Sequence, residues 1–371
     1  MKQKLHIPNI QNTVITPALV KNRNCENLIG STQVPLGLAG PLLITFQDNI
    51  TDTYMLPLST TEGALVASVN RGCKAVGLSG GVRTYFEDVG ATRGPLFRVK
   101  NLAEAANLVK YVSDNLNDIA LVAQKNTPFI KFQKEEHQVI GKNVFFRFYF
   151  NTSEAMGMNM VTQATEKISR YLESALNIKC LALSGNFCQD KKPSFTGFLL
   201  GRGKKVWAEA IIKKSSVTDI LKTTPKDIVE IVQKKSHLGS IVSGSLGYNA
   251  HFANILAAIF LATGQDIAHV VEGSMGITDA EIEDNGDLYF SVYLPDIMVG
   301  TVGGGTGLPT QKEALGILGL DRHESGDSLK LAQIIAAGVL AGELSLTAAI
   351  AAGHLAKAHE KLGRGIKTQK I

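Results

Sequence analysis

The chain has 371 residues, of which 44% are hydrophobic and 19% are charged, and its formal net charge is +5. A chain of this length and composition is expected to form two or three domains with a sizeable core, which excludes a disordered or fibrous protein. The basic residues are scattered rather than clustered, which favours anionic small molecules over nucleic acid as ligands.

The four cysteines form no CxxC pair, and we interpret them as reduced thiols of a cytoplasmic protein. Residues 1–10 are polar and mixed and show no signal peptide. The apolar stretch 331–352 is interrupted by Glu343. The sequence therefore predicts a soluble protein without a membrane span.

The first part of the chain is predicted to be an N-terminal arm, residues 1–24, followed by loops, short strands and a helix over 58–76. Ser59 and Glu62 match the Ser-x-x-Glu capping box at the start of that helix. Capping is therefore the structural alternative to any chemical role of Glu62.

From residue 96 the predicted elements follow the order β-α-β-β-α-β, which is typical of ferredoxin-like folds. Asn101 and Glu104 are predicted to cap the first helix. We therefore predict a small inserted domain at residues 96–182. Its strands are expected at 96–99, 129–133, 143–150 and 180–183, and its helices at 101–115 and 155–176.

Residues 25–95 and 183–371 are predicted to form one large domain, so that the fold class is α+β with a large helical domain around a long central helix. That helix is predicted over 249–274, where it would be about 36 Å long. Further elements are expected as strands at 201–212 and 288–294 and helices at 225–235 and 329–361.

Asp266 interrupts the apolar face of the predicted central helix. A buried carboxylate is costly unless it is paired, and its partner is usually a cation. Lys191 and Lys192, in a short polar loop, are candidates for that cation, although two adjacent lysines are more often a solvated turn.

No G-x-G-x-x-G or G-x-x-x-x-G-K-[ST] motif is present. Residues 154–160, EAMGMNM, follow a predicted strand and open a helix, so free backbone N–H groups could hold a pyrophosphate there. Gly157 would allow a close approach, and packing of the methionines is an equally good interpretation.

His354 and His359 are five residues apart, which is unlike the spacing of a zinc-binding helix, and we predict no metal site. His359 near a helix end could act as a general acid, or could simply be a residue of the helix terminus.

Nine motifs, in order, resemble the catalytic domain of 3-hydroxy-3-methylglutaryl-coenzyme A (HMG-CoA) reductase over about residues 25 to 364, in a form similar to the first, biosynthetic class. They are ENLIG (26–30), STTEGALVASVNRGC (59–73), ATRGP (91–95), EAMGMNM (154–160), SGNFCQDKKP (184–193), GYNAHFAN (247–254), GQD (264–266), TVGGGTG (301–307) and AAGHLAKAH (351–359).

The resemblance implies reduction of HMG-CoA to mevalonate and free CoA in isoprenoid biosynthesis, with NADPH, or alternatively NADH, as the cofactor. It also implies a homodimer, or a higher oligomer built from dimers, with shared active sites, and no membrane or nucleic-acid partner. Lys191 and Asp266 could then meet across the interface. The small domain would bind the cofactor and the large domain the CoA thioester.

By motif position, the resemblance implies that Glu62, Lys191, Asp266 and His359 are catalytic. Lys191 would stabilise the negative charge that builds on oxygen, and His359 would protonate the leaving thiolate. Glu62, with a raised pKa, would protonate the aldehyde oxygen. Asp266 would connect Lys191 to Glu62.

The remaining positions are also carried over by motif. The HMG moiety is assigned to Arg93, Ser184, Asn186, Asp190, Lys192 and Lys235. CoA is assigned to Ser68, Asn70, Arg71 and Lys222, and the surroundings of the reacting centre to Asn254. The cofactor is assigned to Glu154, Ala155, Met156, Gly157, Met158, Asn159 and Arg364.

Two positions depart from the family pattern. Glu154 replaces the family's Asp, and Thr127 and Pro128 stand where the family often offers a basic residue to the 2′-phosphate of NADPH. Arg364 matches another such contact, so NADPH is favoured. A CoA-binding protein that has lost catalysis and a CoA-thioester lyase are the alternative functions.

Overall fold

A computed structural model describes residues 7–12, 15–20, 24–125, 127–322 and 324–353. The strands are β1 Leu36–Thr45, β2 Thr51–Ser59, β3 Val82–Arg93, β4 Leu96–Arg98, β5 Lys131–Ile140, β6 Asn143–Asn151, β7 Lys179–Ala182, β8 Arg202–Ile212, β9 Gly247–Tyr248, β10 Gly276–Ile282 and β11 Leu288–Ile297.

The α-helices are α1 Pro8–Asn12, α2 Pro17–Val20, α3 Leu65–Gly77, α4 Leu102–Asp114, α5 Leu116–Gln124, α6 Met158–Leu176, α7 Phe195–Leu200, α8 Lys214–Ser216, α9 Pro225–Ile231, α10 Ser240–Ser243, α11 Phe252–Thr263, α12 Val270–Gly273, α13 Pro309–Ile317 and α14 Asp327–Ala351. π-Helical turns cover Val217–Leu221 and Val232–Gly239, and 3₁₀ turns cover Ile267–His269 and Gly304–Gly307.

The larger sheet is built from long strands whose side chains alternate between buried and exposed positions. β3, β8, β11 and β10 are neighbours in antiparallel pairs, and the β1–β2 hairpin joins β3 in parallel. Along β8 the sequence VWAEAI places every second residue inside, so one face of the sheet is apolar and needs a cover. α14, α3 and α11 supply that cover.

The central helix of the protein is α14, and the prediction of a long central helix over 249–274 is wrong. α14 runs for 25 residues and is buried along most of its length, because alanine and glycine allow strands and helices to approach on all sides. By length and composition it could cross a membrane, but 83% of its most apolar window is buried inside the protein. It ends at Ala351, ten residues before the predicted end at 361.

α11 is shorter than predicted because both of its ends are determined by specific contacts. At its start, the Glu343 carboxylate of α14 accepts hydrogen bonds from the backbone N–H groups of Ala250 and His251, at 2.8 and 2.5 Å. At its end, Gly264 adopts a left-handed conformation with φ of 73°, which terminates the helix. Asp266 therefore lies in the following turn and not on a helix.

The smaller sheet has the strand order β7–β4–β6–β5, with all pairs antiparallel, and β3 joins β6 at its end. α4, α5 and α6 cover it, and a second apolar core forms around Phe97, Phe146 and Phe148. The prediction that Asn101 caps α4 is confirmed, since its side chain accepts from the Glu104 N–H at 2.9 Å.

Several boundaries in this smaller unit differ from the prediction. The strand expected at 129–133 is β5, Lys131–Ile140, and the sequence reasoning missed α5, Leu116–Gln124. α6 begins three residues later than expected. The reason is that Gly157 has a φ of +86°, and the helix can begin only after it.

The described part of the predicted arm forms two short helices. The backbone N–H groups of Asn9 and Ile10 in α1 donate to the Glu313 carboxylate of α13, at 2.8 and 2.7 Å. The carboxylate therefore binds the N-terminal segment to the body of the protein.

The capping box predicted for Ser59 and Glu62 does not form. Ser59 is the last residue of β2, and α3 begins only at Leu65, after Ala64 in a left-handed conformation. The Glu62 N–H donates to Thr60 Oγ1 at 2.9 Å. Glu62 is thus an exposed residue of the turn before α3, and its side chain is free of a capping role.

Candidate active site

The cation that Asp266 requires is Lys191. Lys191 Nζ lies 2.7 Å from Asp266 Oδ2, and the two side chains are 41% and 33% exposed. Asp266 Oδ1 accepts from the Ala268 N–H at 3.1 Å, which orients the carboxylate at the start of the 3₁₀ turn. The sequence prediction of an Asp–Lys pair is therefore met, and both residues belong to the same chain.

The burial of Asp266 was overestimated, because the residue lies beyond the helix end. Partial burial raises the pKa of Asp266, but the hydrogen bonds from Lys191 and the Ala268 N–H, together with the charge of His269, lower it overall. Asp266 is an ionised carboxylate at neutral pH, as a partner for an ammonium group must be.

The loop that carries Lys191 has a strained backbone. Asn186, Gln189 and Lys191 have φ values of 67°, 55° and 57°, in the left-handed region that non-glycine residues rarely adopt. Such conformations persist only where the surroundings enforce them, and they concentrate at functional sites. The loop is held in place by Asp190, between two of these residues.

Asp190 binds two arginines. Its Oδ2 lies 2.8 Å from Arg93 Nη1, and its Oδ1 lies 2.9 Å from Arg202 Nη2. Burial raises the pKa of Asp190, but Arg202, His269 and Arg93 outweigh that effect and lower it. The Arg93 side chain, predicted to contact the HMG moiety, thus already has a carboxylate partner.

Three buried residues of this network were missed by sequence reasoning: Arg202, His269 and Glu272. Arg202 Nη1 lies 2.9 Å from Glu272 Oε1, and the same oxygen is 2.5 Å from His269 Nδ1. All three side chains are fully buried. The spacing of His269 and Glu272, three and six residues after Asp266, was the available sequence signal.

A cavity of about 1000 Å³ opens beside this network. Glu62, Ser68, Arg71 and Asn254 line it, all of which were predicted site residues, and Pro193 of the Lys191 loop closes one side. Within the described part of the chain, no side-chain hydrogen bond or ion pair links Glu62 to Lys191 or Asp266. The structure therefore places these predicted site residues in two neighbouring groups. One is the Lys191–Asp266 pair, and the other is the cavity lining that includes Glu62.

Ser68 and Arg71 both contact Ser345 of α14. Arg71 Nη2 donates to the Ser345 carbonyl at 2.6 Å, Arg71 Nε donates to Ser345 Oγ at 3.0 Å, and the two serine hydroxyls are 2.9 Å apart. Asn70 instead faces β1, where it accepts from the Gly40 N–H at 3.0 Å. Sequence reasoning did not identify Ser345.

The other predicted substrate residues lie outside the lining of this cavity. Ser184 Oγ is 3.3 Å from Cys188 Sγ, and Lys192 Nζ is 3.4 Å from the Asp190 carbonyl oxygen. Asn186, Lys222 and Lys235 are exposed.

The predicted cofactor motif packs against the glycine-rich loop 300–307. The backbone N–H groups of Thr301 and Val302 point to the Glu154 carbonyl oxygen, at 2.8 and 3.4 Å, and Ala155 forms a bridge with Val302. A Cβ on Gly300 would lie 2.3 Å from the Met156 nitrogen, so only glycine permits this contact. Backbone hydrogen bonds and this close backbone contact therefore position the motif against the loop.

The Glu154 carboxylate accepts from the N–H groups of Gly326 and Ser328, at 2.8 and 2.7 Å, and so caps α14. Met156, Met158 and Met160 pack against the smaller core, as the alternative interpretation expected. Gly157, the residue before the first turn of α6, has no side chain with which to cap it. Asn159, in that turn, is exposed.

The GQD motif is joined to the same loop. Gln265 exchanges two hydrogen bonds with the backbone of Gly300, both 3.0 Å long, and Gly264 lies against Gly305 so closely that a Cβ would be 2.4 Å from its oxygen. Residues 154–160, 264–266 and 300–307 are therefore one packed unit. His359 and Arg364 lie outside the described residues.

The mixed α+β fold and an exposed Lys–Asp pair beside a large cavity define an enzyme that acts on small molecules. Residues 2–364 match the family model described as hydroxymethylglutaryl-coenzyme A reductase. The chain therefore belongs to the hydroxymethylglutaryl-coenzyme A reductase family.

Relatives named 3-hydroxy-3-methylglutaryl-coenzyme A reductase include those of Methanocaldococcus jannaschii, 48% identical over 98% of this chain and 90% of the relative, and Aeropyrum pernix, 50% identical over 97% and 86%. A class II reductase from Streptococcus pneumoniae, bound to NADPH in open conformations, has a similar fold. Its TM-score is 0.71 at 19% identity, over 91% of this chain and 90% of that one.

Proposed function

We propose that this chain reduces (S)-HMG-CoA to mevalonate and free CoA, with two equivalents of NAD(P)H, as part of isoprenoid biosynthesis. The family membership supports this reaction, and the observation that carries it is the contact of 2.7 Å between Lys191 Nζ and Asp266 Oδ2 beside the cavity. The reaction needs a cation where negative charge develops on oxygen, and Lys191 is that cation.

Lys191 is suited to this role because its ammonium group is oriented by Asp266 and remains accessible to a substrate. Asp266 holds the ammonium group in place by pairing with it, and 41% exposure leaves donor hydrogens free for a substrate oxygen. When hydride adds to the thioester carbonyl, Lys191 stabilises the resulting oxyanion. It does the same for the aldehyde oxygen in the second reduction.

Glu62 and Asn254 are proposed to act from the cavity wall. Glu62 would donate the proton to the aldehyde oxygen, and Asn254 would hydrogen-bond near the reacting carbon. His359 is proposed to protonate the CoA thiolate as it leaves, and it lies outside the described residues. Ser68 and Arg71, at the opposite wall beside α14, are proposed to bind CoA.

The HMG and CoA anions are proposed to meet the remaining basic residues. Arg93 and Asp190 form a charged pair at the Lys191 loop, which also carries Ser184, Asn186 and Lys192. Lys235 and Lys222 are exposed, and neither forms an ion pair with another described residue. Lys235 is therefore available for the HMG carboxylate and Lys222 for a CoA phosphate. Asn70 would contact CoA through its free amide nitrogen.

Residues 96–182 are proposed to form a ferredoxin-like cofactor-binding domain inserted in the large substrate domain. The strand order β7–β4–β6–β5 and the two covering helices on either side of the hairpin support this division. The uncapped N-terminus of α6, with Gly157 before it, fits a pyrophosphate, and the bound nicotinamide cofactor supplies the hydride.

NADPH is the proposed cofactor and NADH the alternative. Arg364, outside the described residues, would hold the 2′-phosphate, since positions 127 and 128 are threonine and proline rather than basic residues. Arg364→Ala is expected to raise the KM for NADPH by about 10- to 100-fold and leave that for NADH nearly unchanged. Equal effects on both cofactors would contradict this role.

We also propose a cytoplasmic homodimer, or an oligomer of dimers, whose active sites combine residues of two copies. The separation of Glu62 from the Lys191–Asp266 contact supports a shared site. Apolar side chains at the rim support it too: Val271 and Ile267 are each 47% exposed and Val242 is 88% exposed. The packing of α14 inside the protein fits a soluble enzyme.

The test is oxidation of NADPH, and separately of NADH, on addition of HMG-CoA, followed by absorbance of the reduced nicotinamide and by detection of free thiol. Two cofactor equivalents consumed per thiol released are expected. Thiol release without cofactor oxidation would point to a CoA-thioester lyase or hydrolase. Binding of HMG-CoA without either signal would point to a CoA-binding protein that has lost catalysis.

A further inference from the structure

Behind the Lys191–Asp266 pair lies a buried row of alternating charges that the proposed chemistry does not yet use. His269 Nε2 is 3.7 Å from Asp266 Oδ2, on the side of the carboxylate away from solvent. The other ring nitrogen, Nδ1, is 2.5 Å from Glu272 Oε1, which also binds Arg202. The row therefore runs from Arg202 through Glu272, His269 and Asp266 to Lys191.

The short contact with Glu272 determines the tautomer of His269. An ionised carboxylate only accepts hydrogen bonds. Nδ1 therefore carries a proton and donates a hydrogen bond to Glu272. Nε2 then faces Asp266, is fully buried, and has no hydrogen-bond partner among the described residues. A neutral ring would direct a lone pair at the carboxylate, whereas a protonated ring would direct an N–H group at it.

With His269 left out of the count, the charges of the cluster balance only while Lys191 stays with Asp266. Three carboxylates, Asp190, Glu272 and Asp266, face three cations, Arg93, Arg202 and Lys191. When Lys191 turns to a substrate oxyanion, the carboxylate of Asp266 loses its partner in a partly buried site. An unpaired carboxylate there is costly, and this cost opposes catalysis.

We propose that His269 is a positioning residue that acts through Asp266: as an imidazolium, with Nδ1–H on Glu272 and Nε2–H on Asp266, it replaces Lys191 as the partner of Asp266 when Lys191 binds the oxyanion. His269 carries both ring protons before and after Lys191 moves, so that three cations, Arg93, Arg202 and His269, still face the three carboxylates once Lys191 has turned away. No covalent bond changes. Only the ammonium group and one N–H contact are rearranged. The proposal rests on the proposed reductase activity.

The groups that face His269 from every side agree with this role. Asp266 and Glu272 flank it on its own segment, and Asp190 approaches from the Lys191 loop. Arg202 reaches the cluster from β8 but is bonded to both Asp190 and Glu272.

Asp296 lies nearby on β11, where burial raises its pKa well above the ordinary value, so it adds no charge. The ligand atoms of Asp190, His269 and Glu272 lie within 4.8 Å of one another. Because the guanidinium of Arg202 already bridges the two carboxylates, we assign this grouping to an ion-pair network rather than to a metal.

Two variants separate the charge of His269 from its shape. His269→Asn places an amide nitrogen near the position of Nδ1 and keeps the bond to Glu272. His269→Gln reaches towards the position of Nε2 and Asp266. Neither can become a cation. His137→Gln is the matched control, because His137 Nδ1 also contacts a glutamate, Glu135 at 3.2 Å, on β5 away from the network.

Both His269 variants are expected to fold, with unfolding temperatures close to that of the control. We expect kcat to fall by about 10-fold or more, while the KM values for HMG-CoA and NADPH change by less than about twofold. In Glu272→Gln, where the ring keeps an acceptor without its charge, kcat should fall as well, again with little change in either KM.

Wild-type kcat in both His269 variants would overturn the proposal. A rise in KM with unchanged kcat would also overturn it, because it would make His269 a residue of substrate binding. If the variants lose their fold, Glu272→Gln alone decides, since a wild-type kcat in that variant contradicts the proposal. Absence of HMG-CoA reduction by the wild-type protein would instead reject the proposed function.

Discussion

At the residue scale, the proposed chemistry depends on Lys191. Lys191→Ala removes the cation that faces the developing oxyanion and should lower kcat by about 10²- to 10³-fold in both reductive steps. Steady-state assays with HMG-CoA and with the free aldehyde measure the two steps separately. The protein should remain folded, because the Lys191 side chain is 41% exposed.

The matched control for that variant is Lys110→Ala. Lys110 Nζ is also 2.7 Å from a carboxylate, Asp114 Oδ2, but the pair lies on the exposed face of α4. Its loss should leave both rates unchanged. Activity of Lys191→Ala within a few-fold of the wild type would refute the assignment of the catalytic cation.

Asp296 gives a second prediction at this scale, for stability rather than rate. Both of its carboxylate oxygens are buried and without a hydrogen-bond partner among the described residues. Burial raises its pKa well above the ordinary value, and Glu272 adds to this, while Arg202 and Arg147 oppose it. The native state therefore holds a proton that the unfolded chain releases at lower pH.

For a carboxyl group with a raised pKa, stability falls as pH increases from the unfolded value to the folded one. Asp296→Asn should remove this loss, so that its stability relative to wild type improves as pH rises from about 4, the ordinary carboxyl value, into the neutral and alkaline range. Urea unfolding across this range measures the difference. Asp284→Asn, at an exposed position, is the control, and parallel curves for wild type and Asp296→Asn would refute the prediction.

At the element scale, α14 lies in the larger apolar core, and its start depends on Glu154. The Glu154 carboxylate accepts from two backbone N–H groups there, at 2.8 and 2.7 Å, where the helix dipole favours negative charge. Glu154→Gln should lower the free energy of unfolding by about 1 kcal/mol. The KM for NADPH should change by less than about twofold, because the carboxylate is already engaged.

Glu166→Gln is the comparison for that element, since Glu166 lies on the exposed face of α6 in an i,i+4 pair with Arg170. Its effect on stability should be within about 0.5 kcal/mol. Unchanged stability of Glu154→Gln together with a large rise in the KM for NADPH would show that Glu154 binds the cofactor and does not cap α14.

At the scale of the whole molecule, the question is which residues of one site come from one chain. Lys191 and Asp266 meet within a chain, which differs from the possibility that they meet across an interface. Mixed dimers of Lys191→Ala and Asp266→Ala subunits should therefore stay inactive. Mixed dimers of Lys191→Ala and Glu62→Gln should recover roughly half of wild-type activity, since one of the two sites in each mixed dimer is intact.

Co-expression with two affinity tags allows each mixture to be purified and assayed. Recovery in both mixtures would mean that Lys191 and Asp266 are contributed by different copies. Recovery in neither, from dimers shown to be mixed, would place Glu62, Lys191 and Asp266 in the same chain.

The sequence by itself determined the family, the mixed α+β fold class, the cap of Asn101 on α4, and the need of Asp266 for a cation. These depend on short motifs and on local rules of spacing, which act between residues close together in the chain. It also pointed to Lys191, because the resemblance placed that lysine in a conserved type of loop at the reacting centre.

Only the tertiary structure decided where α11 ends, that α14 is the central helix, and that Arg202, His269 and Glu272 support the site. Each of these depends on contacts between distant segments. Glu343 holds the start of α11, Gly264 must pass close to Gly305, and Arg202 reaches carboxylates from two other elements. A buried charge shows its partners only in three dimensions, because burial itself is a property of the packed chain.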